Sequence, residues 1–175
     1  MVRVFTTILL LMIPLMGFSQ TRNEDSVVIK GNNLPCMLGI QPTLIVAYKY
    51  NGTSLIQIPV QIDEVVVRDI NDPYGPNGCL GQSTNNVPWD VPFYADENTF
   101  TGADSDQLFD NDDELVLMAK DASIKLDTCQ PAPVGCLNEI TCEVELRDPL
   151  NNTLIGYVYL FEQDGTLNQS AGTSY

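Results

Sequence analysis

Apolar and polar residues alternate along most of this chain, and no segment carries the sustained 3.6-residue apolar stripe of an amphipathic helix. Thr43–Tyr50 reads as a strand, and Asn51-Gly52 behind it is a strong hairpin signal. The return places Ile56, Ile58, Val60 and Ile62 on one face, with Gln57, Pro59 and Gln61 on the other. Pro59 marks an edge or a bulge, because proline cannot donate to a strand ladder. Glu64–Arg68 either continues that strand or begins the next. In Glu139–Leu146, Ile140, Cys142, Val144 and Leu146 face one way, and Glu139, Thr141, Glu143 and Glu145 the other. Asp148-Pro149 and Asn151-Asn152 supply turn chemistry, and Thr153–Phe161 returns. Ser26–Lys30 and Glu114–Ala119 complete the expected strands.

Several short strands separated by turns predict an all-β fold. The expected form is an antiparallel β-sandwich, or barrel-like sandwich, with one long acidic loop insertion. That insertion runs from Ile70 to Asp113 and is rich in Pro, Gly, Asn and Asp. Unstructured loops of such length are uncommon inside compact domains. Trp89, Phe93, Tyr94, Phe100 and Phe109 offer it apolar anchors, so an ordered excursion is expected.

The N-terminus changes the picture from fold to compartment. Arg3 precedes an apolar stretch from Val4 to Met16, and Gly17 and Ser19 stand where a signal peptidase requires small residues. Residues 1–19 are therefore expected to be a signal peptide, cut before Gln20, and 20–175 a single sandwich-like domain. An uncleaved anchor is the rival reading, but the apolar core is short for a span of about 20 residues. No later stretch is apolar enough for a transmembrane segment, so a secreted, extracellular or cell-surface location is expected. All five cysteines follow the cut, where disulfides persist, and Cys36–Cys79 is the favoured bridge. A second bridge is expected among Cys129, Cys136 and Cys142, with one thiol left over. The odd count and the uncapped ending at Tyr175 suggest the N-terminal part of a larger protein.

The chain has no histidine and no CxxC spacing, which argues against zinc and against imidazole catalysis. Its net charge of −15 disfavours nucleic acid and anionic lipid as partners. The charge is concentrated, since Asp69–Ala119 holds eleven carboxylates and no Lys or Arg. Asp104, Asp106, Asp110, Asp112, Asp113 and Glu114 are the candidate metal ligands, with Ca2+ as the ion, because calcium collects hard oxygens from a turning backbone. The match to an EF-hand loop is poor: counting from Asp104, the fifth and sixth positions are Leu108 and Phe109. Asp63 and Glu64 add ligands if their strand passes nearby. Carboxylate pairs also invite a glycosidase reading, yet a chain with 23 acids brings some pair together by chance. Trp89, Phe93 and Tyr94 fit either a sugar-stacking platform or plugs that pack the loop onto the sheet, and packing is the expectation.

Two segments carry a resemblance. Ile58-Pro-Val-Gln-Ile-Asp-Glu64, followed by Phe109-Asp-Asn-Asp-Asp-Glu-Leu-Val-Leu-Met-Ala-Lys-Asp121, resembles a PVQ-D-E … D-DELVF-D pattern of secreted bacterial β-rich modules. Some of these accompany polysaccharide breakdown or cell-surface assembly. The resemblance implies an extracellular β-rich module and carries over no catalytic residue. The functional expectation is thus a calcium-stabilised binding or scaffolding module whose partner is an extracellular protein or glycan. The alternative is a fragment of a polysaccharide-directed hydrolase or lyase.

Overall fold

A computed structural model describes residues 24–69, 90–127, 130–137, 140, 142–151 and 153–172. Within them the chain is all-β and antiparallel throughout. β1 (Ser26–Lys30), β7 (Glu114–Met118) and β4 (Gln61–Asp63) form one sheet in the order β1-β7-β4. β3 (Leu55–Ile58), β2 (Ile45–Tyr50), β9 (Ile155–Glu162) and β8 (Cys142–Arg147) form a second in the order β3-β2-β9-β8. β5 (Val65–Asp69) and β6 (Asp90–Tyr94) make a two-stranded ribbon.

The first two sheets enclose the main core. Leu115 and Leu117 of β7 meet Ile45, Ala47, Ile58, Val158 and Leu160 of the larger sheet, with Met37 and Phe109 packed in from loops. The reverse face of the larger sheet is also covered. Val46, Tyr48, Tyr50, Tyr159 and Phe161 lie there beneath Leu126, Ala132, Ile140 and Leu167. Burial on both faces explains why β2 and the end of β9 read as continuous apolar runs rather than alternating ones. The β8–β9 hairpin keeps the expected alternation, with Cys142 buried and Glu143 and Glu145 exposed. Glu139, Thr141 and Asn152 lie outside the described residues.

Four expectations need correction. The run Leu55–Asp63 is not one strand, because the chain leaves the larger sheet after Ile58 and joins the smaller one at Gln61. Pro59 sits at that crossing, and Ile56, expected on one face with Ile58, is exposed beside Lys49 on an edge strand. The insertion, expected as an ordered loop, contains a strand, since β6 pairs residue for residue with β5. Tyr94 and Phe100, taken as packing anchors, are largely exposed, whereas Phe109 is fully buried; Trp89 lies outside the described residues.

The disulfide is the fourth. Cys36 pairs with Cys142, their Cα atoms 5.9 Å apart, and not with Cys79, which lies outside the described residues. The bridge fastens the loop after β1 to the start of β8 across 106 positions of sequence. Spacing alone cannot reveal such a pairing, because it depends on two sheets facing each other. Cys142 is thereby removed from the expected Cys129–Cys142 group, and Cys136 is a free thiol.

Candidate functional site

The acidic turn is built largely by its own carboxylates. Asp104 Oδ1 accepts from the Asp106 amide at 3.4 Å, Asp106 Oδ1 from Leu108 at 3.3 Å, and Asp110 Oδ1 from Asp112 at 3.0 Å. Each is a side chain folded onto the backbone two residues on, the local preference that makes Asp a turn former. Backbone bonds then moor the turn: Phe109 N–H donates to Ile40 O, and Gly39 and Gly31 N–H to Phe109 O and Asp113 O. At Gly31 a Cβ would run into the Asp110 carbonyl, so the close approach requires glycine there.

Asp113 and Glu114 leave the turn in different directions. Asp113 is fully buried, and its two oxygens accept from Val65 N and Asp110 N, each at 2.9 Å. Glu114 opens β7, and its Oε2 accepts from the Tyr94 hydroxyl at 2.9 Å. Val65 and Tyr94 are cross-strand partners, so two consecutive acids grip the two strands of the β5–β6 ribbon. Asp63 pairs in register with Glu114.

Between the turn and the body of the protein lies a cleft of about 390 Å³ lined by Gln41, Thr43, Glu64, Glu97, Asp104 and Gln107, with no base among its lining residues. Glu64 occupies the break between β4 and β5, which turns its carboxyl toward the acidic loop. Burial, and then the negative charges of Asp113, Asp104 and Asp106, push its pKa above the ordinary carboxylate value. Asp112 is raised by its hydrogen bond to Asp110 and by burial, and Asp113 by burial despite its two amide donors. On the far side, Arg68 braces the loop by donating to the Thr101 carbonyl at 2.6 Å and weakly to that of Ala103.

Of the six candidate ligands, the structure brings Asp104 to the cleft and holds Asp106, Asp110 and Asp112 in the adjoining turn, while Asp113 and Glu114 are engaged with the ribbon. Among the described residues, no three His, Cys, Asp or Glu side chains are grouped as a metal site. Glu64 joins the acidic group as the sequence allowed, but Glu97 and the polar wall of Gln41 and Thr43 were not anticipated. No local signal marks Gln41 or Thr43, because only the fold carries that segment to the insertion. Burial pushes the Cys136 thiol above its ordinary pKa, with its hydrogen bond to Tyr48 acting the other way.

No protein-family model matches the chain, no curated protein matches it, and no solved structure matches it. The site therefore stands on its own geometry. Among the described residues no helix is long and apolar enough to cross a membrane.

Proposed function

We propose that this chain is an extracellular binding module whose acidic cleft takes up calcium, the ion drawing the Asp104–Asp112 turn and Glu64 together. The observation that carries the reading is the cleft itself: Glu64, Glu97 and Asp104 all line it, and none of its described lining residues is a base. Mutual repulsion there is relieved either by a proton or by a cation, and at neutral pH outside cells millimolar calcium is the available cation. Asp104, Asp106, Asp110 and Asp112 are the ligands from the turn, with Glu64 opposite; Asp113 and Glu114 support them from behind. Calcium ligands of this kind have to close around the ion, which fits the weak affinity of about 10⁻⁴–10⁻³ M typical of extracellular modules.

Calorimetric titration of the chain with calcium tests the reading. It predicts one binding event at sub-millimolar to millimolar concentration that Asp110→Asn with Asp112→Asn abolishes. No heat at any calcium concentration, or heat unchanged in that variant, rejects it.

A further inference from the structure

The loop 95–104 carries Glu97 and Asp104, two of the three carboxylates that line the acidic cleft. The third, Glu64, stands outside the loop at the break between β4 and β5. Like charges gathered on one cleft push the loop away from Glu64. The loop's internal bonds fix its shape. Asp96 N–H donates to Gly102 O at 2.9 Å, Gly102 N–H to Thr99 O at 3.2 Å, and the Thr99 and Thr101 hydroxyls lie 2.7 Å apart.

Contacts with the β5–β6 ribbon fix its place. At its entry, Ala95 N–H donates to Glu64 O at 2.9 Å, and Phe100 packs edge-to-face on Phe93 of β6 at 5.3 Å. At its exit the half-buried Arg68 of β5 donates from Nε to Thr101 O at 2.6 Å and from Nη2 to Ala103 O at 3.5 Å. The guanidinium thus straddles Gly102, whose own carbonyl takes the Asp96 amide. Gly102 has a φ of +70°, and a Cβ there would stand 3.3 Å from Arg68 Nη2, so glycine leaves the fork room. Asp69–Ala119 contains no Lys or Arg, so no base within that segment can replace Arg68.

We propose that Arg68 is the latch of the acidic cleft: its guanidinium, spanning the Thr101 and Ala103 carbonyls, holds the loop 95–104 in place against the repulsion among Glu64, Glu97 and Asp104. A planar fork with several donors suits this task, because one side chain bonds two carbonyls on either side of a turn. An ammonium carries the same charge without that geometry. The latch itself needs no cation. It deepens the calcium reading, and rests on it, only in one consequence: with the loop in place, Glu97 and Asp104 stay beside Glu64 and the cleft is ready for the ion. Arg68 is then a positioning residue whose effect on calcium runs against its charge. Removing a nearby positive charge by itself strengthens cation binding, whereas releasing the loop weakens it.

Amide hydrogen exchange of the full chain in chelator tests the latch, with the Asp96 and Gly102 amides as reporters of loop opening. In Arg68→Ala both are expected to exchange about tenfold faster or more, the scale of one lost charge-assisted bond. Adding Glu64→Gln, which removes part of the repulsion, slows them again toward the parent. Arg68→Lys opens the loop nearly as far as Arg68→Ala does. Amides of β2 and β9 that exchange as in the parent show that the core persists in each variant. Unchanged exchange in Arg68→Ala overturns the proposal. Faster exchange that Glu64→Gln does not slow also overturns it, since Arg68 is then a brace with no repulsion to oppose. Parent-like exchange in Arg68→Lys shows that charge alone suffices and rejects the fork. Calcium titration supplies the second readout: affinity is expected to fall about threefold or more in Arg68→Ala, and equal or tighter binding contradicts the positioning role. No calcium heat in the parent removes the cation reading alone, and the exchange rates then decide the latch.

Discussion

Asp113 Oδ1 lies 2.9 Å from the Val65 amide nitrogen, joining a buried carboxylate in the acidic turn to the first residue of β5 across 48 positions of sequence. The second oxygen of Asp113 takes the Asp110 amide at the same distance. One side chain thus closes its own turn and docks that turn on the ribbon. Removing it leaves two amides without their acceptor, at about 1–3 kcal/mol for each that stays buried.

The Asp113→Ala variant is accordingly expected to lose about 2–4 kcal/mol of stability. Asp113→Asn, which keeps one acceptor oxygen and relieves part of the repulsion, loses less. Urea midpoints of the two variants against the parent give the comparison. Equal losses would mean that charge, not amide acceptance, is what Asp113 contributes.

A second expectation concerns Gly31. Its Cβ position is occupied by the Asp110 carbonyl, which belongs to backbone and cannot swing aside. Gly31→Ala therefore pushes the acidic turn off the body of the protein, costing about 1–3 kcal/mol by overpacking. A denaturation midpoint identical to the parent's would contradict that packing.

The bridge between Cys36 and Cys142 closes a loop of more than one hundred residues. In the chain-entropy account such a constraint is worth about 4–5 kcal/mol, most of it through the unfolded state. Cys142→Ser is expected to melt well below the parent, and non-reducing peptide mapping should recover the two cysteines in one linked pair. A linked Cys36–Cys79 peptide would overturn the assignment.

Acid should stabilise before it denatures. Glu64, Asp112 and Asp113 all have folded-state pKa values raised above the ordinary carboxylate value, so the folded chain takes up protons before the unfolded one does. Their repulsive contribution is present at neutral pH, fades as pH falls through the raised values, and is gone below the unfolded ones. Glu145 and Asp164 are shifted the other way by their hydrogen bonds to Tyr157 and Thr166, but both are exposed and solvent-screened. In chelator, the urea midpoint is expected to be higher just above the ordinary carboxylate range than at neutral pH. Glu64→Gln should flatten the difference. A midpoint that only falls on acidification would show that the repulsion is negligible.

Much of the architecture was legible in the sequence because its signals are local. Period two locates β8, and short apolar or β-branched runs bounded by turn or charged residues locate β1, β2, β7 and β9. At Asn51, whose Oδ1 accepts from the Thr53 and Ser54 amides, the turn chemistry acts as its residue type implies. What stayed hidden depends on distance. The crossing at Pro59 was visible as an interruption, but nothing local says that the chain changes sheets there. β6 was obscured because Asp90 and Pro92 dilute its alternation, and only pairing with β5 makes it a strand. The acidic residues were visible as a group, yet their division is a product of the fold: Asp104 lines a cleft, Asp113 bonds amides and Glu114 holds a tyrosine. The exposure of Tyr94 was misjudged for a related reason, since large apolar side chains are usually buried.

If calcium fills the cleft, the acidic turn and Glu64 respond to it as one unit. Thermal melting of the intact chain in chelator and in millimolar calcium measures this most directly. At ten times the dissociation constant the ion contributes about 1.4 kcal/mol, which for a chain of this size raises the melting temperature by ~3–6 °C. That rise is expected in the parent and its loss in the Asp110→Asn, Asp112→Asn variant. Superimposable melts of the parent in chelator and in calcium would contradict it.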